Sequence, residues 1–422
     1  MNRRPSILVW IIILIALLSS CNRSERTEAL SRDEFPVLQI GVTERLSFQW
    51  HYQRFIEQFI SEDGRVIDFG SERSITTSEG QSYGLWFSLL ADDQKTFTAL
   101  LRWTVNNLAD GDLRKNLPAW LWGQREDESW GVIDANSASD SDIWIAYALL
   151  AAAERWQNTH YQELGKALAN LILAQETVAL NGERLLLPAP VGFQHRNEAT
   201  EENYWIVNPS YLTITLFYGL AAYTQDERWH EVVRWSEALF RDLASESHGM
   251  VPNWVAVDSD GRLLALEQTA NEHKQQVRIG SYDAIRTYLW LSWDYQQGYN
   301  QHLSKFDAFF AATAATDHPP TELERQGGSH GQGPVGFSAV ALLYFYLHDT
   351  NFRDQAEFSA SVYTTQLARL AARNPNRYAQ RYYDTMLVLF GLSALECVVF
   401  TTDGRLYVTA QDSSSCSRKR SS

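Results

Sequence analysis

Between residues 44 and 396 the chain carries twelve segments with apolar residues at helical spacing, and they alternate between two kinds. Arg45–Ile60, Asp93–Leu108, Tyr161–Leu173, Glu227–Leu243, Leu303–Thr313 and Phe352–Ala371 are apolar along one stripe and charged along another. Such helices keep one face in water. Gly80–Leu90, Asp142–Trp156, Tyr211–Tyr223, Ala284–Tyr295, Gly336–Leu347 and Tyr383–Leu395 are apolar nearly all round, so they must be buried on every side. The order is outer then inner, six times over. The inner helices begin near 79, 140, 208, 283, 336 and 384, at intervals of 61, 68, 75, 53 and 48 residues. This spacing predicts an all-α fold, an (α/α)6 barrel of six helical hairpins; an open solenoid would use shorter and more uniform repeats. Short connections force neighbours antiparallel, so all six inner N-termini open at one end. The long connections 109–139, 174–207 and 244–282 precede inner helices. They should gather at that same mouth, with minor β pieces such as Val251–Asp258.

The 422 residues are 45% hydrophobic, enough for a large core, and carry a net charge of -15. That charge argues against nucleic acid, which is bound by neutralising phosphates, and suits a neutral substrate. Fifteen Trp is a high count. Indole rings can serve as platforms for the C–H faces of sugars, or they can fill a helical core. Composition leaves both readings open.

The N-terminus reads as an address. Arg3 and Arg4 precede an apolar run from Ile7 to Leu18, too short to span a bilayer, which needs about 20 helical residues. Leu18-Ser19-Ser20-Cys21 resembles the bacterial lipoprotein box, which implies cleavage before Cys21 and acylation of that residue. Cleavage removes both arginines and takes the charge from -15 to -17. Asn22 resembles the residue that directs such proteins to the outer membrane. The expectation is a periplasmic, lipid-anchored protein: 1–20 a signal peptide, 21–43 a linker, 44–410 one domain, 411–422 a Ser-rich tail. An exported compartment permits a disulfide between Cys397 and Cys416.

Three inner helices start with carboxylates: Glu79 in Thr77-Ser78-Glu79-Gly80-Gln81, Asp140 in Ala138-Ser139-Asp140-Ser141-Asp142, and Asp283 in Ser281-Tyr282-Asp283-Ala284. Acids at helix starts often do no more than cap. Ser78 is placed to cap in Glu79's stead, and the Trp-rich stretch Leu117–Gly123 lies in an adjoining loop. No His pair or Cys–His cluster has metal-ligand spacing, and neither a nucleophile elbow nor a phosphate loop is present. Paired carboxyl groups among aromatic rings suit glycoside hydrolysis, one as acid and one as base or nucleophile.

These segments resemble glycoside hydrolase family 8. Its signature stands here as Ala138-Ser139-Asp140-Ser141-Asp142-Ile143-Trp144-Ile145-Ala146-Tyr147-Ala148-Leu149-Leu150, with Ser141 where the family has Ala or Gly. Gly64-Arg65-Val66-Ile67-Asp68, Thr77–Gln81, Asn208-Pro209-Ser210-Tyr211, Tyr282–Arg286 and Tyr382-Tyr383-Asp384 are similar to the branch found in bacterial cellulose synthase operons. The resemblance implies an inverting endo-1,4-β-glucanase with Glu79 as general acid, Asp283 as general base and Asp140 positioning the central sugar and the water. An inverting pair of carboxyls stands roughly 6.5–9.5 Å apart. Glu79 must be protonated; its helix start opposes that, and burial among rings beside Asp140 favours it. Trp120, Trp122, Trp130, Trp205 and Trp254 are candidate stacking platforms. Tyr147, Tyr211, Tyr282 and Arg286 are further candidates for binding substrate. The implied partners are a β-1,4-glucan chain and a cellulose synthase complex. The expected state is a monomer with no metal and no cofactor. Chitosan, xylan or mixed-linkage glucan as substrate, and a non-catalytic glycan-binding partner of a synthase, are the competing readings.

Overall fold

The computed structural model describes residues 46–71, 74–197, 200–264, 274–351, 356–372 and 382–407. The chain divides into two units between Val37 and Leu38, and all the described residues belong to the second unit. The expected signal peptide, Cys21, the 21–43 linker and the 411–422 tail lie outside the described residues.

Among the described residues twelve helices have nine residues or more: α1 (Phe48–Phe59), α2 (Ser78–Leu90), α3 (Gln94–Asn107), α4 (Ser139–Trp156), α5 (Thr159–Gln175), α6 (Ile214–Thr224), α7 (Arg228–Glu246), α8 (Ala284–Gln296), α9 (Ala308–Thr316), α10 (Val335–Asn351), α11 (Ala356–Ala372) and α12 (Tyr382–Glu396). Their order matches the alternation in the sequence. α2, α4, α6, α8, α10 and α12 pack side by side in that order, and α12 returns to α2, which closes the inner ring. α1 shows why an outer helix stays outside: Phe48, His51, Tyr52, Phe55 and Phe59 are buried along one stripe. In α4 every residue from Ser139 to Ala153 is buried.

The hairpins are paired differently from the expected outer-then-inner order. The tight turns 91–93, 157–158 and 225–227 join an inner helix to the outer helix after it. α3 packs on α2, α5 on α4, α7 on α6 and α11 on α10, while α1 packs on α12 across the two ends of the fold. Asp93 and Asn158 make the sharp reversals possible by capping α3 and α5 with their side chains.

The long connections carry the strands, all paired antiparallel. β1 (Thr76–Thr77), β2 (Leu121–Gln124) and β3 (Trp130–Asp134) form one sheet; β4 (Thr177–Leu180) and β5 (Glu183–Leu186) form a hairpin. β6 (Gln194–Arg196), β7 (Asn203–Val207) and β8 (Val255–Val257) form a third sheet, and β9 (Ile279–Gly280), β10 (Glu322–Glu324) and β11 (Ser329–His330) a fourth. β8 falls within the expected β piece Val251–Asp258.

Rings fill the barrel axis. Trp86 lies 5.1 Å from Trp144, Trp144 5.4 Å from Trp290, and Trp290 5.0 Å from Trp293, with Phe390 5.3 Å from Trp290. Four of the fifteen Trp are thereby core, which accounts for part of the compositional signal. Cys397 is buried and disulfide-bonded; its partner lies outside the described residues.

Three carboxyl groups, Asp142, Asp294 and Glu176, are sealed in this core without a cation against them. Asp294 on α8 accepts from Thr215 N at 2.8 Å and Thr215 Oγ1 at 2.7 Å, and burial pushes it up to about 7. Glu176, accepting from Ser137 Oγ at 2.5 Å, is pushed up to about 8 by burial. A carboxyl raised in the folded state stabilises below its unfolded value, near 4, and loses that contribution as pH rises through 7–8. Thermal unfolding should therefore show a lower Tm at pH 8 than at pH 5, and Asp294→Asn should flatten the fall by removing one titrating group. A Tm that rises over this range, or an unchanged slope in the variant, would contradict the assignment.

Candidate active site

The starts of α2, α4 and α8 converge, and three of their side chains meet one guanidinium. In α2 every residue except Glu79 is buried. Thr77, not Ser78, caps the helix, accepting from Gly80 N at 3.0 Å. Thr77 is held extended by β1 pairing with β2, and Ser78 N donates to Trp120 O at 3.0 Å, so Ser78 is already inside the helix. Gln81 anchors the turn from below. Its Oε1 accepts from Val66 N at 2.6 Å, and its Nε2 donates to Gly64 O, Leu100 O and Thr104 Oγ1. Gly64 has φ +97°, and a Cβ there would stand 2.3 Å from the Ala99 backbone. The Gly64–Asp68 and Thr77–Gln81 motifs are thus two halves of one buried junction.

Asp283 occupies the cap position of α8 but makes no capping bond. Asn253 does that instead: its Oδ1 accepts from Ser281 N at 2.7 Å and Ala284 N at 3.2 Å. The Asp283 carboxylate, 37% exposed, is left to accept from Trp254 Nε1 at 3.1 Å. Asp140, on the first turn of α4, is buried; its Oδ1 accepts from Ser141 N at 2.7 Å.

Arg286, one turn into α8 and 4% exposed, links all three. Nη1 donates to Glu79 Oε2, to Tyr83 Oη at 2.8 Å and to Asp140 Oδ2 at 3.2 Å. Nη2 donates to Ser210 Oγ at 3.0 Å and lies 3.6 Å from Asp283 Oδ1. Glu79 and Asp283 therefore face opposite nitrogens of one planar cation. Glu79 keeps 23% of its side chain exposed, yet burial dominates its chemistry. Burial raises it, Arg286 lowers it, and Asp140 and Asp283 raise it again, leaving it at about 7. Asp140 is also raised, by burial against the pull of Arg286. A carboxyl that keeps its proton near neutrality, beside an exposed carboxylate, is the division of labour that acid–base chemistry on one bond requires. Among the described residues no group of His, Cys, Asp and Glu is placed to hold a metal ion.

The remaining sequence candidates separate into two sets. Tyr211, whose ring lies 5.9 Å from the Arg286 guanidinium carbon, and Trp254 border the acids. Tyr282 is exposed, and its carbonyl accepts from Tyr383 Oη at 2.7 Å. Trp120 and Trp130 are exposed on the connection that leads to α4. Trp122 is half-buried between Trp103 at 5.3 Å and the Arg65 guanidinium at 4.4 Å, which also lies 5.0 Å from the Trp130 ring. Two candidates need correction. Tyr147 lies eight residues into α4, about 12 Å below the mouth, fully buried with its hydroxyl donating to Gly404 O at 2.7 Å. Trp205 is 5% exposed on β7, whose residues Tyr204–Val207 are buried on both faces. Neither ring offers a surface to a ligand. Sequence reasoning did not single out Tyr83, Ser210, Asn253 and Phe193. Tyr83 had a signal, standing four residues after Glu79 on the same helical face; Asn253 had none, because it caps a helix thirty residues away.

The chain is similar to known proteins over most of its length. Residues 37–395 match the model of "Glycosyl hydrolases family 8". A protein of Escherichia coli O157:H7 named "Endoglucanase" is 37% identical over 345 residues, covering 81% of this chain and 85% of the relative. The crystal structure of an endo-1,4-D-glucanase from Vibrio fischeri ES114 superposes with a TM-score of 0.73 at 35% identity, covering 85% of this chain and 98% of that one. The endo-beta-1,4-glucanase CMCax from Acetobacter xylinum shares the fold, with a TM-score of 0.64 at 24% identity over 83% of this chain and 98% of that one.

The electrostatic balance can be tested directly. An infrared titration of isotopically labelled Glu carboxyls, assigned with Glu79→Gln, should place the Glu79 midpoint near 7. Arg286→Met removes the opposing cation and should move that midpoint upward by roughly 1–3 pH. A midpoint that stays or falls would contradict the balance of burial against Arg286.

Proposed function

The chain belongs to the glycosyl hydrolases family 8, and from that premise we propose that it is an inverting endo-1,4-β-glucanase acting on cellulose. The observation that carries the reading is the placement of Glu79 and Asp283 on opposite nitrogens of Arg286, one carboxyl raised to about 7 and the other exposed. Protonated Glu79 gives its proton to the glycosidic oxygen as the bond to the anomeric carbon breaks. A water attacks that carbon from the opposite face, and Asp283 takes the water's proton, so the configuration inverts. Asp140, fixed by Ser141 and Arg286, holds the central sugar between them. Trp120 and Trp130 offer exposed rings along the approach, where the flat C–H face of a glucose unit can stack. The endoglucanase names of the relatives support β-1,4-glucan as the chain that is cut.

The Leu18–Cys21 box and Asn22 support a periplasmic enzyme anchored by lipid to the outer membrane. The likeness of its motifs to the cellulose-operon branch supports a role beside a cellulose synthase complex, trimming or releasing chains as they are made.

Residues 22–422 should lower the viscosity of carboxymethylcellulose quickly while releasing few reducing ends. Glu79→Gln should cut kcat by about 10²–10⁴-fold, the usual contribution of a general acid. The acid must carry its proton, so kcat/KM should fall about tenfold per pH above roughly 7. Activity on chitosan or xylan with none on cellulose would overturn the substrate; unchanged turnover in Glu79→Gln would overturn the acid.

A further inference from the structure

The carboxylate that takes the water's proton stands in an unusual position. Asp283 sits at a helix cap, where a free Asp side chain would turn inward to the backbone N–H groups. Its carboxylate makes no such bond, while Asn253 Oδ1 accepts from Ser281 N and Ala284 N on either side of it. Arg286 Nη2, at 3.6 Å from Oδ1, is beyond good hydrogen-bond length and attracts without fixing direction. An exposed carboxylate with only that attraction would rotate among its broad terminal torsions. Its direction is set by the indole of Trp254, which donates to Oδ2 at 3.1 Å.

Trp254 is itself held on several sides. Its ring lies parallel to Phe193, 5.7 Å away at 4°, and 6.3 Å from Tyr211. The backbone on one side is pinned by Asn253 N donating to Ile279 O at 2.7 Å, and on the other by Val255 paired with Val207 in the β7–β8 ladder. One face of the indole is thus covered by Phe193, and its N–H edge is committed to Asp283. A ring so placed is a poor sugar platform and a good anchor.

We propose that Trp254 is a positioning residue for the general base: its indole N–H holds Asp283 Oδ2 so that Oδ1 is the oxygen presented to the attacking water. This rests on the reading of Asp283 as base. It departs from the sequence-based expectation of Trp254 as a stacking surface. In the hydrolytic step Trp254 gains and loses no proton; it keeps the carboxylate aligned while Oδ1 takes one from water, water oxygen bonds to the anomeric carbon, and the bond to the leaving oxygen breaks.

The test uses residues 22–422 and cellopentaose. Trp254→Phe keeps an aromatic ring against Phe193 and removes the donor. It should lower kcat about 10–100-fold, part of the 10²–10⁴-fold that a general base contributes, with KM within about twofold. Binding is read separately by calorimetry in the Glu79→Gln background, where adding Trp254→Phe should leave Kd within about twofold, which also shows that the site is folded. Phe193→Ala leaves the indole donor in place but frees the ring. It should lower kcat several-fold at unchanged KM, and it carries the test should Trp254→Phe fail to bind. Near wild-type kcat in Trp254→Phe would overturn the proposal, as would raised KM and Kd at unchanged kcat, which is the signature of a platform. Asp283→Asn separates the two levels: if it stays active, the base itself is misassigned. If it is inactive while Trp254→Phe is wild type, the base stands and only the positioning role falls.

Discussion

A single buried guanidinium organises this molecule's chemistry. Arg286 is drawn out of water at a large desolvation cost, which is tolerable only because three carboxylates, a phenol and a hydroxyl surround it. Those groups come from α2, α4, α8 and the turn at Ser210, so the site exists only when four separate parts of the ring have closed. The same charge sets the acids apart. Asp140 and Glu79 share one nitrogen and Asp140 raises Glu79, whereas Asp283 sits farther out beside solvent.

The barrel makes that arrangement possible by relieving the acids of ordinary helix duties. Three helices starting at one mouth would normally spend their first-turn side chains on capping. Here Thr77 caps α2, and Asn253, reaching across from the loop before β8, caps α8. The strands that follow the outer helices are not decoration; β1 holds Thr77 extended, and the β7–β8 ladder fixes the loop that carries Asn253 and Trp254. Function therefore depends on the loops' sheets as much as on the helical ring, although the ring supplies nearly all of the core.

The helical part was legible because burial on all sides leaves a mark that no other element makes at that length. The twelve periodic segments appear as twelve helices, and the acids at 79, 140 and 283 stand together as their helix starts imply. Legibility ended where contacts were not periodic. Ser78 looked like the cap, but strand pairing shifts that duty one residue to Thr77. Trp205 and Tyr147 read as ligand surface because an aromatic residue in a loop or signature does not announce which way it faces; β7 is buried on both sides, and the hydroxyl of Tyr147 is taken by Gly404. Asn253 and Phe193 act on a helix and a ring brought near only by folding.

The central claim is that one cation holds an acid and a base across the scissile bond with a water between base and sugar. The anomeric configuration of the first product tests it most directly. Proton NMR of cellopentaose hydrolysis, followed from the first seconds, should show the α-anomer at the new reducing end before mutarotation brings in the β-anomer. A first product of β configuration would mean retention, a nucleophile in place of a base, and an account of Asp283 that is wrong.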